Sequence, residues 1–113
     1  MKRGEVYYAN LVPVLGSETG KTRPVVIIQN DIGNAYSPTT IVAIITEYSG
    51  KKASYPICVA LGIDEGLKKA SIVNLAQVST IDKRRLIIPS IAKLPDAVMA
   101  EVDRALKYSL ALS

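Results

Sequence analysis

The sequence predicts a mainly β domain of the α+β class, in which a small curled β-sheet or barrel is closed by a C-terminal α-helix. Short runs rich in Val, Ile and Tyr alternate with turn-forming clusters, as expected of a chain built from strands. Near the C-terminus the apolar spacing changes to three and four residues, which is the period of an amphipathic helix. A length of 113 residues fits a single domain over 1–113.

Six segments have the composition of strands. They are residues 4–10, 24–29, 39–46, 55–61, 70–78 and 86–92. Residues 25–28 and 41–45 are apolar without alternation, so we expect both faces of these strands to be covered and the two strands to form the centre of the sheet.

Polar and glycine-containing clusters separate the predicted strands. Residues 30–34 and the pair Ser37–Pro38 have the composition of turns. Residues 49–52 and 62–66 are predicted to be exposed loops for the same reason.

The predicted C-terminal helix has one apolar face and clear end signals. Its face consists of Met99, Val102, Leu106 and Leu110. Pro95 suits the first helical position, and Asp103 and Lys107 are spaced to form an i,i+4 ion pair. Such a face must dock on the sheet or on another subunit, and the sequence does not choose between them.

The composition restricts the possible chemistry. Fourteen Lys and Arg against ten Asp and Glu give a net charge of +4, which suits an anionic partner such as nucleic acid. The chain contains no histidine, which excludes Ser-His-Asp and Cys-His triads and the paired-histidine route to RNA cleavage. With one cysteine and no acidic D-x-D spacing, we expect no metal and no cofactor.

The single cysteine and the N-terminus indicate the compartment. Cys58 cannot form an intramolecular disulfide and lies in an apolar run, where a small buried side chain is expected. The first residues contain no apolar leader and no membrane span. We therefore expect a cytoplasmic protein that does not enter the membrane.

One loop and one strand end have residues suited to a phosphate. Residues 16–24 combine two glycines, three hydroxyl side chains, Lys21 and Arg23 directly before a buried strand. Glycine backbone can approach a phosphate closely, and the Arg fork can bind two of its oxygens. Thr46 ends an apolar run, where a hydroxyl can emerge into a cleft. Both features also have a structural explanation: residues 16–24 can be an ordinary polar hairpin loop, and Thr46 can be a β-favouring residue at a strand end.

Four blocks in this order resemble the MazF/PemK family of type II toxin endoribonucleases. The blocks are residues 3–7 (RGEVY), residues 16–31 (GSE followed by RPVVIIQND), residues 37–46 (SPT leading to IIT) and residues 77–86 (Q followed by TIDKRRL). The resemblance covers nearly the whole length, whereas residues 48–69 match poorly.

Membership of this family implies an SH3-like curled barrel of the PemK/CcdB toxin type and a homodimer. It implies a toxin that cleaves single-stranded mRNA without a metal and so inhibits translation and growth. In this reaction the 2'-hydroxyl of the RNA attacks the adjacent phosphate, leaving 2',3'-cyclic phosphate and 5'-hydroxyl ends. An antitoxin with an acidic or amphipathic tail would cover the basic RNA groove.

The resemblance also assigns residues. Arg23 and Thr46 correspond to the catalytic pair, with Arg23 neutralising charge on the phosphorane-like transition state. Five further residues match positions where the family binds RNA: Arg3, Ser17, Glu18, Lys21 and Gln77. Ala76 and Ser79 depart from the family pattern, in which an acidic residue and an Arg are common, so the RNA motif can differ.

Two other classes of function remain open at this point. A related fold serves toxins that bind DNA gyrase and cleave nothing, in which case Arg23 and Thr46 would be incidental. A catalytically silent RNA-binding barrel would also fit the charge and the six tyrosines.

Overall fold

The structure is a computed structural model that describes residues 1–11, 22–62 and 66–112. Within these ranges six strands form one sheet. The strands are β1 (Glu5–Asn10), β2 (Thr22–Ile27), β3 (Thr39–Glu47), β4 (Cys58–Leu61), β5 (Ser71–Asp82) and β6 (Leu86–Lys93). The helices are α1 (Asp31–Tyr36), α2 (Gly50–Ala53) and α3 (Asp96–Ser109), and a 3-10 turn spans Lys83–Arg85.

The sheet is antiparallel throughout, with the order β4-β5-β3-β2-β1-β6. Apolar clusters cover both faces of its centre. Val26 belongs to one cluster, and its neighbours Val25 and Ile27 belong to the other. All three are fully buried, which confirms the prediction that both faces of residues 25–28 are covered. In β3, Val42 and Ala43 are likewise buried on opposite faces.

A large bulge interrupts β5. Ala43 of β3 pairs with Val78, whereas the next residue, Ile44, pairs with Asn74. One step along β3 therefore corresponds to four along β5, and residues 75–77 form the bulge. The Asn74 side chain stabilises it, because Asn74 Oδ1 accepts a hydrogen bond of 2.9 Å from the backbone N–H of Ala76.

The C-terminal helix docks on the sheet of its own chain. Met99, Val102 and Ala105 are buried in the first apolar cluster, and Leu106 packs against it. The predicted stripe is wrong at its end, because Leu110 lies just beyond α3 and is 55% exposed. No helix in the described ranges is both long and apolar enough to span a bilayer.

Two details of this helix differ from the prediction. Pro95 occupies the N-cap position, one residue before the helix begins. Asp103 pairs with Arg3 at 2.5 Å rather than with Lys107. Local spacing favoured the Lys107 pair, but an exposed i,i+4 pair is worth only a few tenths of a kcal/mol, and a partly buried Arg fork competes with it.

Two segments predicted to be irregular form short helices instead. Asn30 caps α1 by accepting a 2.7 Å hydrogen bond from the N–H of Gly33, and Ser49 caps α2 in the same way. Ser and Asn at these positions suit N-caps as well as turns, which explains the difference. Residues 63–65 of the predicted loop at 62–66 lie outside the description.

The strand boundaries shift by a few residues. β2 begins at Thr22 and ends at Ile27, β4 begins only at Cys58, and β5 continues to Asp82. Cys58 is half-buried rather than fully buried, and burial raises the pKa of its thiol.

Candidate functional site

A polar cleft of about 570 Å³ opens where β2, β3 and β5 lie side by side. Strand residues form most of its wall, and α2 supplies one side chain. The lining residues are Leu11, Arg23, Ile44, Thr46, Lys52, Asn74, Gln77 and Ser79. Within this lining no residue is a His, Asp or Glu.

The strand register brings Arg23 and Thr46 together. Val25 of β2 pairs with Ile44 of β3, and the strands run antiparallel. The paired residues of β2 and β3 end at Val25 and Ile44, and Arg23 and Thr46 each lie two residues beyond this pair on their own strand. Alternate residues of a strand share a face, so both side chains follow the face that Val25 and Ile44 occupy. Both residues accordingly line the same cleft.

Thr46 has an unusual environment. Its Oγ1 is buried, and it is the one buried side-chain polar atom in the described part of the chain without a hydrogen-bond partner. Leaving such a group unsatisfied costs about 1–3 kcal/mol. Unsatisfied buried groups in folded proteins are rare and call for an explanation, of which a functional role is one.

Three further polar residues of the lining were not predicted as site residues. Lys52 reaches the cleft from α2, whose N-cap Ser49 accepts a 3.4 Å hydrogen bond from the Lys52 N–H. Asn74 reaches it because the bulge ends there, and Ser79 follows the bulge. A Ser three residues before Lys52 is an N-cap pattern, and this was the available sequence evidence for Lys52. No local pattern indicated the bulge.

The other predicted site residues have different positions. Gln77 is exposed on the bulge and lines the cleft. Ser17, Glu18 and Lys21 lie outside the described residues. Arg3 does not line the cleft.

Arg3 is engaged in the fold instead. Its Nε donates a 2.8 Å hydrogen bond to the carbonyl of Ile28, and its Nη2 lies 2.5 Å from Asp103 Oδ1. Its backbone N–H donates to Asp31 Oδ1 at 2.7 Å. The expectation that Arg3 binds RNA therefore gains no support from its position.

Two side chains of the basic cluster at residues 83–85 are bound to neighbouring acceptors. Arg84 makes two hydrogen bonds to Asp82, at 3.0 and 2.9 Å. These bonds hold the pKa of the Asp82 carboxyl at about 2, below its usual range. Lys83 donates to the carbonyl of Asn34. The cluster is a structured 3-10 turn.

The cleft can therefore bind an anion but offers little for acid-base chemistry. It places two cationic side chains, Arg23 and Lys52, around a buried hydroxyl. Among the described residues no group of three His, Cys, Asp or Glu side chains could hold a metal ion. A reaction here would depend on positive charge, on hydrogen bonding and on a nucleophile from the substrate.

Comparison with known proteins identifies relatives over the full length. A family model described as PemK-like, MazF-like toxin of type II toxin-antitoxin system matches residues 2–110. The chain is 50% identical over 113 residues to Endoribonuclease EndoA of Bacillus subtilis (strain 168), covering 99% of this chain and 96% of that protein. It is 49% identical over 114 residues to Endoribonuclease MazF of Staphylococcus epidermidis, covering 100% and 93%.

Solved structures show the same fold. MazE-MazF from Deinococcus radiodurans aligns with a TM-score of 0.80 at 23% identity, covering 100% of this chain and 98% of that one. An endoribonuclease in complex with its cognate antitoxin, from a mycobacterial species, aligns with a TM-score of 0.80 at 24% identity, covering 100% and 97%.

Proposed function

This chain belongs to the PemK-like, MazF-like family of type II toxins, and on that premise we propose that it is a metal-independent endoribonuclease acting on single-stranded RNA. Two relatives near 50% identity are named endoribonucleases. The observation that best supports the proposal is the cleft that Arg23 and Thr46 line together from the adjacent strands β2 and β3.

The chemistry that suits this cleft is attack by the RNA on itself. The 2'-oxygen forms a bond to phosphorus while the bond from phosphorus to the 5'-oxygen breaks. The 2'-hydroxyl proton passes to solvent water, and the departing 5'-oxygen takes a proton from water. The products are a 2',3'-cyclic phosphate and a 5'-hydroxyl. This route needs no protein nucleophile, in agreement with a described lining that has no His or carboxylate.

Arg23 and Thr46 would act on the phosphate. Negative charge builds on the non-bridging oxygens of the transition state, and the Arg23 guanidinium can stabilise it through two parallel hydrogen bonds. The Thr46 hydroxyl gains the partner that it otherwise lacks by donating to the same phosphate. Charge stabilisation is the role assigned to Arg23, because a guanidinium stays protonated at ordinary pH.

Further contacts to the RNA complete the proposed site. Lys52 is placed to bind a phosphate, and Gln77 is placed to contact a base edge. The family resemblance adds Ser17, Glu18 and Lys21. The departures at Ala76 and Ser79 would make the recognised RNA motif differ from that of relatives.

We also propose two protein partners. A cognate antitoxin is expected because related structures contain one, and an acidic segment would complement the net charge of +4.

A second copy of the chain is expected by family resemblance. Analytical ultracentrifugation should then give twice the 12.1 kDa mass of one chain, and a monomer at micromolar concentration would refute the homodimer. In the cell, the cytoplasm is the expected compartment.

The function can be tested with a mixed single-stranded RNA in excess EDTA. We expect cleavage by the wild type and none by Arg23→Ala. The matched control is Arg84→Ala, which removes a cation that is already paired with Asp82 and should leave cleavage intact. A polynucleotide kinase should phosphorylate the new 5'-ends directly. RNA that stays intact with the wild type would refute the nuclease and favour a gyrase-binding toxin of the same fold or a silent RNA-binding protein.

A further inference from the structure

We propose that Asn74 selects the base at one position of the RNA, favouring a keto base, guanine or uracil, over an amino base. The inference rests on the proposed RNA cleavage, because it concerns the same cleft. It follows from three features of Asn74: its place in the sheet, the fixed orientation of its amide, and the groups that this orientation presents.

Asn74 is held on a rigid part of the fold. It lies in β5 and pairs with Ile44 of β3 on one side and with Cys58 of β4 on the other. The adjacent Leu75 is almost fully buried, and its N–H donates a 2.9 Å hydrogen bond to the carbonyl of Ile57. A side chain on a central strand is positioned more accurately than one on a loop.

The bulge fixes the orientation of the Asn74 amide, and Asn74 lines the cleft. Asn74 Oδ1 accepts the N–H of Ala76 at 2.9 Å, and a flipped amide would lose this bond. The Nδ2 group therefore remains for a ligand, and no hydrogen bond from it to another described residue is present. Because Nδ2 bears two N–H groups and no lone pair, it can only donate.

A hydrogen-bond donor at the Asn74 position distinguishes bases by whether the group on the base edge accepts or donates. Guanine O6 and uracil O4 accept a hydrogen bond from Nδ2, whereas the amino groups at adenine N6 and cytosine N4 are donors themselves. A donor facing a donor leaves both groups unsatisfied in a desolvated site. We expect a preference of about tenfold for the keto base at this position.

Asn74→Asp separates the proposed role from a purely structural one. The carboxylate keeps an oxygen that can accept the Ala76 N–H, so the hydrogen bond that stabilises the bulge is retained. It replaces the free donors with an acceptor, which should reverse the preference toward adenine or cytosine. Ser79→Asp is the matched control, since it adds the same charge to the same cleft and leaves the hydrogen bond between Asn74 and Ala76 in place. This control should cleave more slowly, and the keto base should still be preferred at the position that Asn74 contacts, even if the motif changes at other positions.

The experiment is to cut a random single-stranded RNA pool with the three proteins and to sequence the ends. In a second measurement, the affinities of each protein for oligonucleotides that carry a keto or an amino base at this position are compared. These oligonucleotides have a 2'-deoxy sugar at the cut site and cannot be cleaved, so a variant that cleaves slowly still gives a result. A reversed ratio in Asn74→Asp alone supports the proposal. The same ratio in Asn74→Asp and wild type, or a reversal also in Ser79→Asp, overturns it. If the wild type cuts no RNA, the proposed function itself fails.

Discussion

At the scale of single residues, the most informative side chain is Thr46. A buried hydroxyl without a partner opposes folding by about 1–3 kcal/mol. Another buried threonine, Thr40, instead donates a 2.7 Å hydrogen bond to Asn34 Oδ1. The two residues lie on the same strand but differ in whether the folded chain satisfies the hydroxyl.

Thr46→Val should therefore raise stability while lowering activity. Valine has the same shape and removes an unsatisfied hydroxyl, so the free energy of unfolding in urea should rise by about 1 kcal/mol. Cleavage should fall by about 10²-fold, the usual loss when one transition-state donor is removed. The control Thr40→Val should lose about 1 kcal/mol of stability, because it removes one of the two hydrogen bonds that Asn34 Oδ1 accepts, the other coming from Gln29 Nε2. Equal loss of stability in both variants would contradict this interpretation of Thr46.

A second residue gives a pH dependence with a defined sign. Tyr7 is buried, and its hydroxyl donates a 2.9 Å hydrogen bond to Glu5 Oε1. Burial and the nearby carboxylate raise the pKa of Tyr7 to about 12, against about 10 in an unfolded chain. The folded state thus favours the neutral phenol.

The Tyr7 contribution to stability should be complete below pH 10 and should be lost as the pH rises toward 12. Urea unfolding of the wild type and of Tyr7→Phe, measured between pH 8 and 12, should show the stability difference shrinking across this window. Lysines that titrate in the same range are common to both proteins and cancel in the comparison. A difference that stays constant with pH would show that the Tyr7 hydroxyl is not the cause.

At the scale of secondary-structure elements, short helices determine which charges reach the cleft. The four-residue helix α2 begins after Ser49 and holds two adjacent lysines. Lys52 lines the cleft, whereas its neighbour Lys51 does not. Successive residues of a helix point in different directions, so one turn is enough to separate their roles.

Lys52→Ala and Lys51→Ala should accordingly differ in RNA binding. Each phosphate that a cation neutralises on a single strand adds about 0.7 to the slope of log affinity against log salt. Lys52→Ala should reduce this slope by about that amount, and Lys51→Ala should leave it unchanged. Fluorescence anisotropy with an uncleavable oligonucleotide measures both slopes. Equal slopes for the two variants would remove Lys52 from the RNA interface.

At the scale of the whole molecule, Arg3 joins parts of the fold that are distant in sequence. It contacts the carbonyl of Ile28 after β2, the Asp31 side chain at the start of α1, and Asp103 of α3. These bonds hold the N-terminus and the C-terminal helix against the same end of the sheet. The side chain is partly buried, so solvent screens the pair less than a fully exposed one.

Arg3→Ala should reduce the free energy of unfolding by about 1–2 kcal/mol, because it removes two side-chain hydrogen bonds, one of them to a charged partner. Arg104→Ala is the control, since its exposed pair with Glu101 at 3.9 Å should contribute almost nothing. RNA cleavage by folded Arg3→Ala should match the wild type. A large loss of RNA affinity with unchanged stability would restore Arg3 to the RNA interface.

Local composition was sufficient to locate the elements of this fold. The strand segments were found to within a few residues, because runs of β-branched and apolar side chains suit the pleated, half-buried surface of a sheet. The docking face of α3 was found from its period, except at Leu110. The two short helices were missed because capping residues and turn residues have the same chemistry at this length.

The sequence by itself determined the family, the mainly β class and the pair Arg23 and Thr46 as candidates, since all of these depend on residue identity and order. Only the tertiary structure decided that the two line one cleft, that Asp103 pairs with Arg3 rather than with Lys107, and that a bulge brings Asn74 to the cleft. The physical reason is that strand register and ion-pair choice are settled by contacts between segments far apart in the chain, which no local pattern of residues contains.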